Sequence, residues 1–189
     1  MKLIVLDRDG VINEDSDEYI KSPEEWVPVP GSVEAIASLT QAGYSVIVFT
    51  NQSGLARGLF DITTLHGIHQ KMQKTINKAG GRIEAVFFCP HASGDGCNCR
   101  KPKPGMLHSI MERLDVELAG VPVVGDSLRD LQAAMAVGAA PVLVLSGKGE
   151  KTREANPGLE DHIPVFDNLA AYVDHLLQEN AAPKETKTT

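Results

Sequence analysis

No run of apolar residues approaches the ~20 that a membrane-crossing helix needs, and no secretory h-region or small-residue cleavage site follows Met1-Lys2. No membrane association and a cytoplasmic protein are the expectations. Basic clusters are missing too: 18 Lys and Arg stand against 25 Asp and Glu, a formal net charge of −7. Nucleic acids and anionic membranes are held largely by clustered cations, so neither is an expected partner and the ligand should be small. Internal repeats are absent, and the three cysteines cannot all pair as disulfides. Low complexity is confined to the tail Ala181 to Thr189, A-A-P-K-E-T-K-T-T, which reads as a disordered end. Residues 1–180 have the length of one domain with an ample core, expected to act as a monomer.

What is present is a rhythm. Strand-like apolar runs at 2–6, 45–49, 83–88, 121–125 and 141–145 alternate with helix-like segments near 31–42, 62–79, 104–117, 127–137 and 167–178. Gly and Pro punctuate the transitions. The alternation predicts an α/β fold: a central parallel sheet whose right-handed crossovers place helices on both faces, a three-layer sandwich. The stretch Ile12 to Val29 breaks the rhythm, being rich in acids and Pro and carrying Tyr19 and the single tryptophan, Trp26. Ordered loops of that length are usually functional, so it reads as an active-site loop.

Asp7-Arg8-Asp9-Gly10 leaves the C-terminal end of the first apolar run, Leu3-Ile4-Val5-Leu6. Ligand sites of open α/β sheets lie at that end of the strands, where alternate side chains project into one crevice. Two carboxylates in one crevice need a cation. With magnesium between them, Asp7 stays ionised as a nucleophile while Asp9 is free to carry a proton. Taken alone the string is equally a strand-end turn, because Asp and Gly are ordinary turn residues.

The second strand delivers Thr50-Asn51-Gln52-Ser53-Gly54 to the same edge. Its hydroxyl, amide and backbone N–H groups suit phosphate oxygens without adding negative charge beside Asp7. Arg57 follows, a candidate for a second anionic group or a solvated loop cation. Arg100-Lys101-Pro102 brings cations, and Gly125-Asp126-Ser127-Leu128-Arg129-Asp130 brings a further carboxylate after the fourth strand. Phosphoryl transfer is catalysed mostly by positioning and by neutralising equatorial oxygens, which requires such a lysine and such a metal ligand. Asp126 is the better ligand candidate; Asp130, one helical turn on, is placed to orient Ser127 or a ligand, or to serve simply as a helix-start acid.

In this order, D-R-D-G, F-T-N-Q-S-G, R-K-P and G-D-S-L-R-D resemble the motifs of the haloacid dehalogenase superfamily of aspartate-nucleophile phosphatases, over residues 3 to about 146. The resemblance implies a Rossmann-like sheet in which Asp7 attacks phosphorus, Asp9 serves as acid and then base, and Lys101 stabilises the phosphoryl charge. It also implies Mg²⁺ held by Asp7, the backbone carbonyl of Asp9, and Asp126. No long insertion sits where superfamily members carry cap domains, so no large cap is expected and loops should cover the site.

Cys89, His91, Cys97 and Cys99 form a C-x-H…C-x-C set, the donors of a closed structural Zn²⁺ site with no open position for a catalytic water. A disulfide is the alternative, and it would leave one thiol over. The other histidines, His66, His69, His108, His162 and His175, show no ligand spacing. A zinc-stapled loop here would end at Arg100-Lys101 and fix where two cations point. With D-R-D-G-V-I-N, this loop is similar to that of the superfamily branch acting on heptose bisphosphates. The resemblance implies removal of the 7-phosphate of a heptose 1,7-bisphosphate, a small phosphorylated sugar of lipopolysaccharide biosynthesis, through an aspartyl phosphate. Implied substrate contacts are Arg8, Asp15, Tyr19, Asn51, Gln52, Ser53 and Arg100. A histidinol-phosphate phosphatase is the alternative, less suited to Arg100 and Arg57, and a non-catalytic sugar-phosphate-binding module is a second.

Overall fold

Val5 and Leu6 have no exposed surface, because β1 (Lys2–Leu6) runs through the middle of a six-stranded sheet. The computed structural model describes residues 2–181. The strands β2 (Tyr44–Asn51), β3 (Ala85–Cys89), β4 (Pro122–Gly125), β5 (Ala140–Val144) and β6 (Val165–Phe166) join β1 in the order β3-β2-β1-β4-β5-β6, all parallel. Six α-helices accompany them: α1 (Ser32–Gln41), α2 (Ile62–Lys78), α3 (Gly105–Leu114), α4 (Leu128–Ala136), α5 (Gly149–Ala155) and α6 (Leu169–Ala181).

The period of two in the strands divides the core. Leu3, Val5, Ile47, Phe49 and Val123 face Met106, Leu107 and Ile110 of α3 and Ala133 and Ala134 of α4. Their neighbours Ile4, Leu6, Val46, Val48 and Val124 face Ile36 and Leu39 of α1, Ile68, Met72 and Ile76 of α2, and Leu169, Tyr172 and Val173 of α6. A strand buried on both sides reads as a continuous apolar run, and the three-layer sandwich expected from that pattern is the one observed.

Boundaries shift by a few residues. The helix expected over 104–117 stops at Leu114, because Asp115 turns left-handed at φ 52°. The expected tail begins inside α6, whose last residue is Ala181; residues 182–189 lie outside the described residues. Unforeseen were α5, whose sequence G-E-K-T-R-E-A has no apolar stripe, the two-residue β6, and a 3₁₀ turn at Leu159–Asp161.

The order of strands reverses at β1, with β2 and β3 on one side and β4 to β6 on the other. A crevice opens at such a switch point, outside the carboxyl ends of β1 and β4. Asp7 and Asp126 each follow one of these ends, and the Asp7 N–H donates to Val124 O at 2.9 Å. Among the described residues no cap domain is inserted, and loops overlie the crevice.

The stretch Ile12 to Val29 is an irregular loop with fixed ends. Glu14 N–H donates to Val27 O (2.8 Å), Val29 N–H to Ile12 O (3.0 Å), and Ser32 Oγ to Ile12 O (2.6 Å). Its Trp26 is buried, and Lys71 of α2 donates to Pro23 O (2.6 Å) and Trp26 O (2.9 Å) while lying 5.9 Å from the indole centroid. Removing that ammonium strands the Trp26 carbonyl and leaves Pro23 O with only the Trp26 N–H, at 3.2 Å. Lys71→Met is therefore expected to lower the unfolding free energy by about 1–3 kcal/mol in urea titrations, and a change inside about 0.3 kcal/mol would show that the staple contributes nothing.

Candidate active site

The turns after β1, β2 and β4 line one cavity of about 230 Å³, shared with the loop at Asp15–Ile20 and with Arg100 and Lys101. Asp7 is buried at its floor. Lys101 Nζ stands 2.9 Å from Asp7 Oδ1 and 2.6 Å from Asp130 Oδ1, donates to Phe49 O (3.2 Å), and lies 4.1 Å from the Phe49 ring centroid. Burial works against the ammonium, but Asp130 and Asp7 outweigh it and hold the Lys101 pKa above its usual value. The backbone of Lys101 is fixed by one side chain: Asn51 Oδ1 accepts from Lys101 N–H (3.1 Å) and Asn51 Nδ2 donates to Lys101 O (3.2 Å).

Asp130 is committed elsewhere. Its Oδ2 accepts from Ser127 Oγ (2.7 Å) and Ser127 N–H (3.0 Å), the capping box that starts α4. Gly125 is required at the strand end, because a Cβ there would overlap the Asp130 side chain. Asp126 is buried against two left-handed glycines, Gly10 (φ 82°) and Gly147 (φ 59°), where any Cβ would meet its carboxylate. Its Oδ2 accepts from Lys148 N–H (2.7 Å), and its carbonyl accepts from Thr152 Oγ1 (2.9 Å).

Asp7, Asp126 and Asp130 each offer a carboxylate oxygen within 4.8 Å of the others. Burial, followed by the charge of Asp130, pushes Asp126 up to about 7 and Asp7 well above the carboxylate range, although Lys101 opposes both shifts. Such a set of hard oxygen donors with one cation among them fits a divalent magnesium ion, and Asp7 and Asp126 are the members Asp130's own bonds leave available.

Asp9 lies at the cavity edge and is held from behind. Its Oδ1 accepts from Arg8 Nε (3.0 Å), Arg8 Nη2 (2.8 Å) and Asn13 Nδ2 (2.9 Å), and its Oδ2 accepts from Arg8 Nη2 (3.0 Å) and Gln52 Nε2 (2.9 Å). Gln52 Nε2 also donates to Thr50 Oγ1 at 2.9 Å. Burial raises the Asp9 pKa, but Arg8 and the three donor side chains outweigh it, so the carboxyl stays below its usual value. Arg8 itself is fully buried and meets His69 Nε2 at 3.2 Å. Burial, then Arg8, bring His69 down to about 3, so its neutral ring accepts from the guanidinium.

Not every predicted contact reaches the cavity. Arg8 faces into the protein, and Arg57 is exposed on the turn beyond it. Asp15, Tyr19, Asn51, Gln52, Ser53, Arg100 and Ser127 do line it. So do Arg129 and Lys148, which the sequence reading passed over. Arg129 sits inside G-D-S-L-R-D, and Lys148 follows the end of β5 as Asp7 follows β1, so strand-end position was the available signal. His69 was legible only as a member of the buried stripe of α2.

Beside the cavity, the three cysteines are unpaired and meet His91. Cys89 Sγ is 3.1 Å from Cys99 Sγ and 3.7 Å from Cys97 Sγ; His91 Nδ1 is 3.6 Å from Cys89 Sγ and 3.3 Å from Cys99 Sγ. Burial and the contact with Cys99 push the Cys89 thiol up to about 12. Tetrahedral zinc at about 2.3 Å from each sulfur sets the sulfurs about 3.8 Å apart, close to this spacing. Arg100 Nη1 donates to His91 O (3.2 Å), tying the cluster to the cavity wall.

Residues 98–172 match the HAD-hydrolase-like family model. The chain is 59% identical to the D-glycero-beta-D-manno-heptose-1,7-bisphosphate 7-phosphatase of Bordetella bronchiseptica, over 95% of this chain and 99% of that protein. It is 53% identical to the enzyme of the same name from Neisseria meningitidis serogroup A, over 97% and 99%. The crystal structure of the B. bronchiseptica D,D-heptose 1,7-bisphosphate phosphatase, complexed with magnesium and phosphate, superposes with a TM-score of 0.91 over 95% of this chain and 99% of that one. The chain belongs to the D,D-heptose 1,7-bisphosphate phosphatase family of HAD-like hydrolases.

Proposed function

We propose that the protein hydrolyses the 7-phosphate of D-glycero-β-D-manno-heptose 1,7-bisphosphate, the substrate named for its relatives. The observation that carries the reading is Asp7, buried beside Lys101 at 2.9 Å, in a cavity where six carboxylates face four cations. Asp7 attacks phosphorus: an O–P bond forms, the P–O bond to C7 breaks, and Asp9 gives its proton to the departing oxygen. Water, deprotonated by Asp9, then attacks the aspartyl phosphate and frees both Asp7 and phosphate. Thr50, the N–H groups of Asn51 to Ser53, and Lys101 hold the phosphoryl oxygens. Arg100 takes the 1-phosphate, with Asp15 and Tyr19 against the sugar.

Asp7, the Asp9 carbonyl and Asp126 are the proposed holders of Mg²⁺, which when bound neutralises phosphoryl oxygens and keeps Asp7 ionised. Asp130 acts through Lys101 and Ser127. Cys89, His91, Cys97 and Cys99 would hold a structural Zn²⁺, and reduced thiols suit the proposed cytoplasmic location. A monomer is the proposed state, and no helix among the described residues is long and apolar enough to cross a membrane.

Phosphate release should be fastest with the β-anomer of heptose 1,7-bisphosphate, compared with the α-anomer, fructose 1,6-bisphosphate and histidinol phosphate. Fastest turnover of histidinol phosphate would overturn the substrate while leaving the roles of Asp7, Asp9 and Lys101. Losing a charge-assisted contact costs about 1.5–3 kcal/mol, so Arg100→Ala should lower kcat/KM for the bisphosphate about 10- to 100-fold more than for heptose 7-phosphate. Equal losses on the two esters would remove Arg100 from the 1-phosphate.

The raised acids give a pH signature. Asp126 titrates near 3.9 in the unfolded chain and up to about 7 in the fold, so without metal the native state binds the extra proton across that window. Relative to Asp126→Asn, the metal-free protein is expected to lose stability as pH rises from about 4 to about 7. Magnesium needs the ionised carboxylates, so the melting-temperature gain on adding it should be larger at pH 8 than at pH 5. An equal gain at both would contradict the assigned ligands.

A further inference from the structure

Lys148 belongs to a turn that the rest of the site grips on three sides. Ser146 Oγ donates to Gly10 O (2.7 Å), Lys148 N–H to Asp126 Oδ2 (2.7 Å), and Thr152 Oγ1 to Asp126 O (2.9 Å). Glycine is demanded on either side of Lys148: a Cβ at Gly147 would collide with Asp126, and one at Gly149 with the Val144 carbonyl. The backbone that carries Lys148 is therefore fixed to the turns bearing Asp7 and Asp126.

From this anchored base, Lys148 Nζ reaches across the cavity to the Asp15–Tyr19 loop. It lies 2.9 Å from Asp15 Oδ2 and 3.6 Å from Asp17 Oδ1. The bonds of Glu18 and Tyr19 are local, since their N–H groups bond to Ser16 at 3.1 Å each and their carbonyls accept from Lys21 Nζ at 2.8 and 3.4 Å, so none of them ties this segment to the sheet. It also carries strain, because Tyr19 sits at φ 64°, a left-handed conformation that is unfavourable for a non-glycine residue. An external tie is what such a loop needs. Charge points the same way: a doubly phosphorylated sugar entering beside Asp15 and Asp17 meets two carboxylates that Lys148, alone among the described residues, pairs with.

We propose that Lys148 is a positioning residue for the sugar bisphosphate. It latches the Asp15–Tyr19 loop to the rigid turn after β5 and cancels the loop's negative charge, so that Tyr19 and Asp15 meet the substrate in one conformation. The proposal rests on the reading that this loop touches the sugar. It assigns Lys148 no part in moving protons or binding phosphorus, since its backbone N–H, which any residue supplies, is what meets Asp126.

The test is a split between substrates. Ordering a loop before binding removes a cost from substrate affinity, so Lys148→Met should raise KM for heptose 1,7-bisphosphate about tenfold, with kcat changed less than about threefold. For p-nitrophenyl phosphate, which has no sugar to meet the loop, KM should move less than about twofold. Lys148→Arg should restore most of the loss, and Asp15→Asn combined with Lys148→Met should fall short of the product of the two single effects. An unchanged KM, strict additivity, or equal losses on both esters would overturn the latch, the last by moving Lys148 into the phosphoryl chemistry. Should Lys148→Met melt early, the Lys148→Arg comparison and the Asp15→Asn variant carry the same split. Wild-type preference for a different sugar phosphate would refute the substrate reading, and the split would then be read on that ester.

Discussion

The buried ammonium of Lys101 compensates a set of carboxylates that the fold cannot move apart. Strand order places Asp7 and Asp126 at the switch point, and α4 brings Asp130 back toward them through its capping box. Burial and then the charge of Asp130 raise both Asp7 and Asp126, and Asp126 adds to the rise at Asp7. Lys101 Nζ touches two of them at 2.9 and 2.6 Å and donates to Phe49 O, while Asn51 fixes the backbone that carries it. A buried ion pair of this kind is poor evidence for stability, since removing one partner strands the other. Its value is positional: the charge sits where a phosphoryl group would meet Asp7.

That requirement spreads outward. Lys101 is reached from β3 by the cysteine loop, whose His91 carbonyl accepts from Arg100 and whose Cys97 carbonyl accepts from Lys103 (2.7 Å). The cations are thus bound to the loop on one side and to Asn51 of β2 on the other. A loop of eleven residues with small and polar side chains has no apolar core of its own, and its four soft donors crowd to within 4.8 Å of each other. The proposed zinc would supply to such a loop the order that burial supplies elsewhere.

The sheet was legible because strands buried on both faces leave unbroken runs such as Leu3-Ile4-Val5-Leu6, and because ligand-facing residues follow strand ends. The convergence of Asp7, Thr50, Lys101 and Asp126 could be read that way from four short strings. Helix α5 could not, having no apolar face; the turn that leads into it is held by the Ser146 hydroxyl on Gly10 O and by the Lys148 N–H on Asp126. Arg8 was misplaced for a related reason. The family resemblance implied a ligand contact there, whereas the side chain turns inward to a neutral His69 sixty-one residues away, a pairing no local pattern records.

Arg8 thereby sets the character of Asp9. Five hydrogen bonds from Arg8, Asn13 and Gln52 favour the ionised carboxyl, which is the form that deprotonates water in the second half of the proposed reaction. The first half needs the acid. A protonated Asp9 loses much of its attraction to the guanidinium, because that attraction depends on the charge. In the proposed reaction, gain of the proton would therefore loosen Asp9 from Arg8 and leave it freer to turn toward the leaving oxygen. Once the proton has gone to that oxygen, the charge returns and Arg8 again holds the base. His69 closes the circuit from behind: pushed down to about 3 by burial and by Arg8, it stays neutral, accepts from the guanidinium, and adds no positive charge that would compete for Asp9. One carboxylate could then serve both proposed roles, because Arg8 holds its ionised form more strongly than its protonated one.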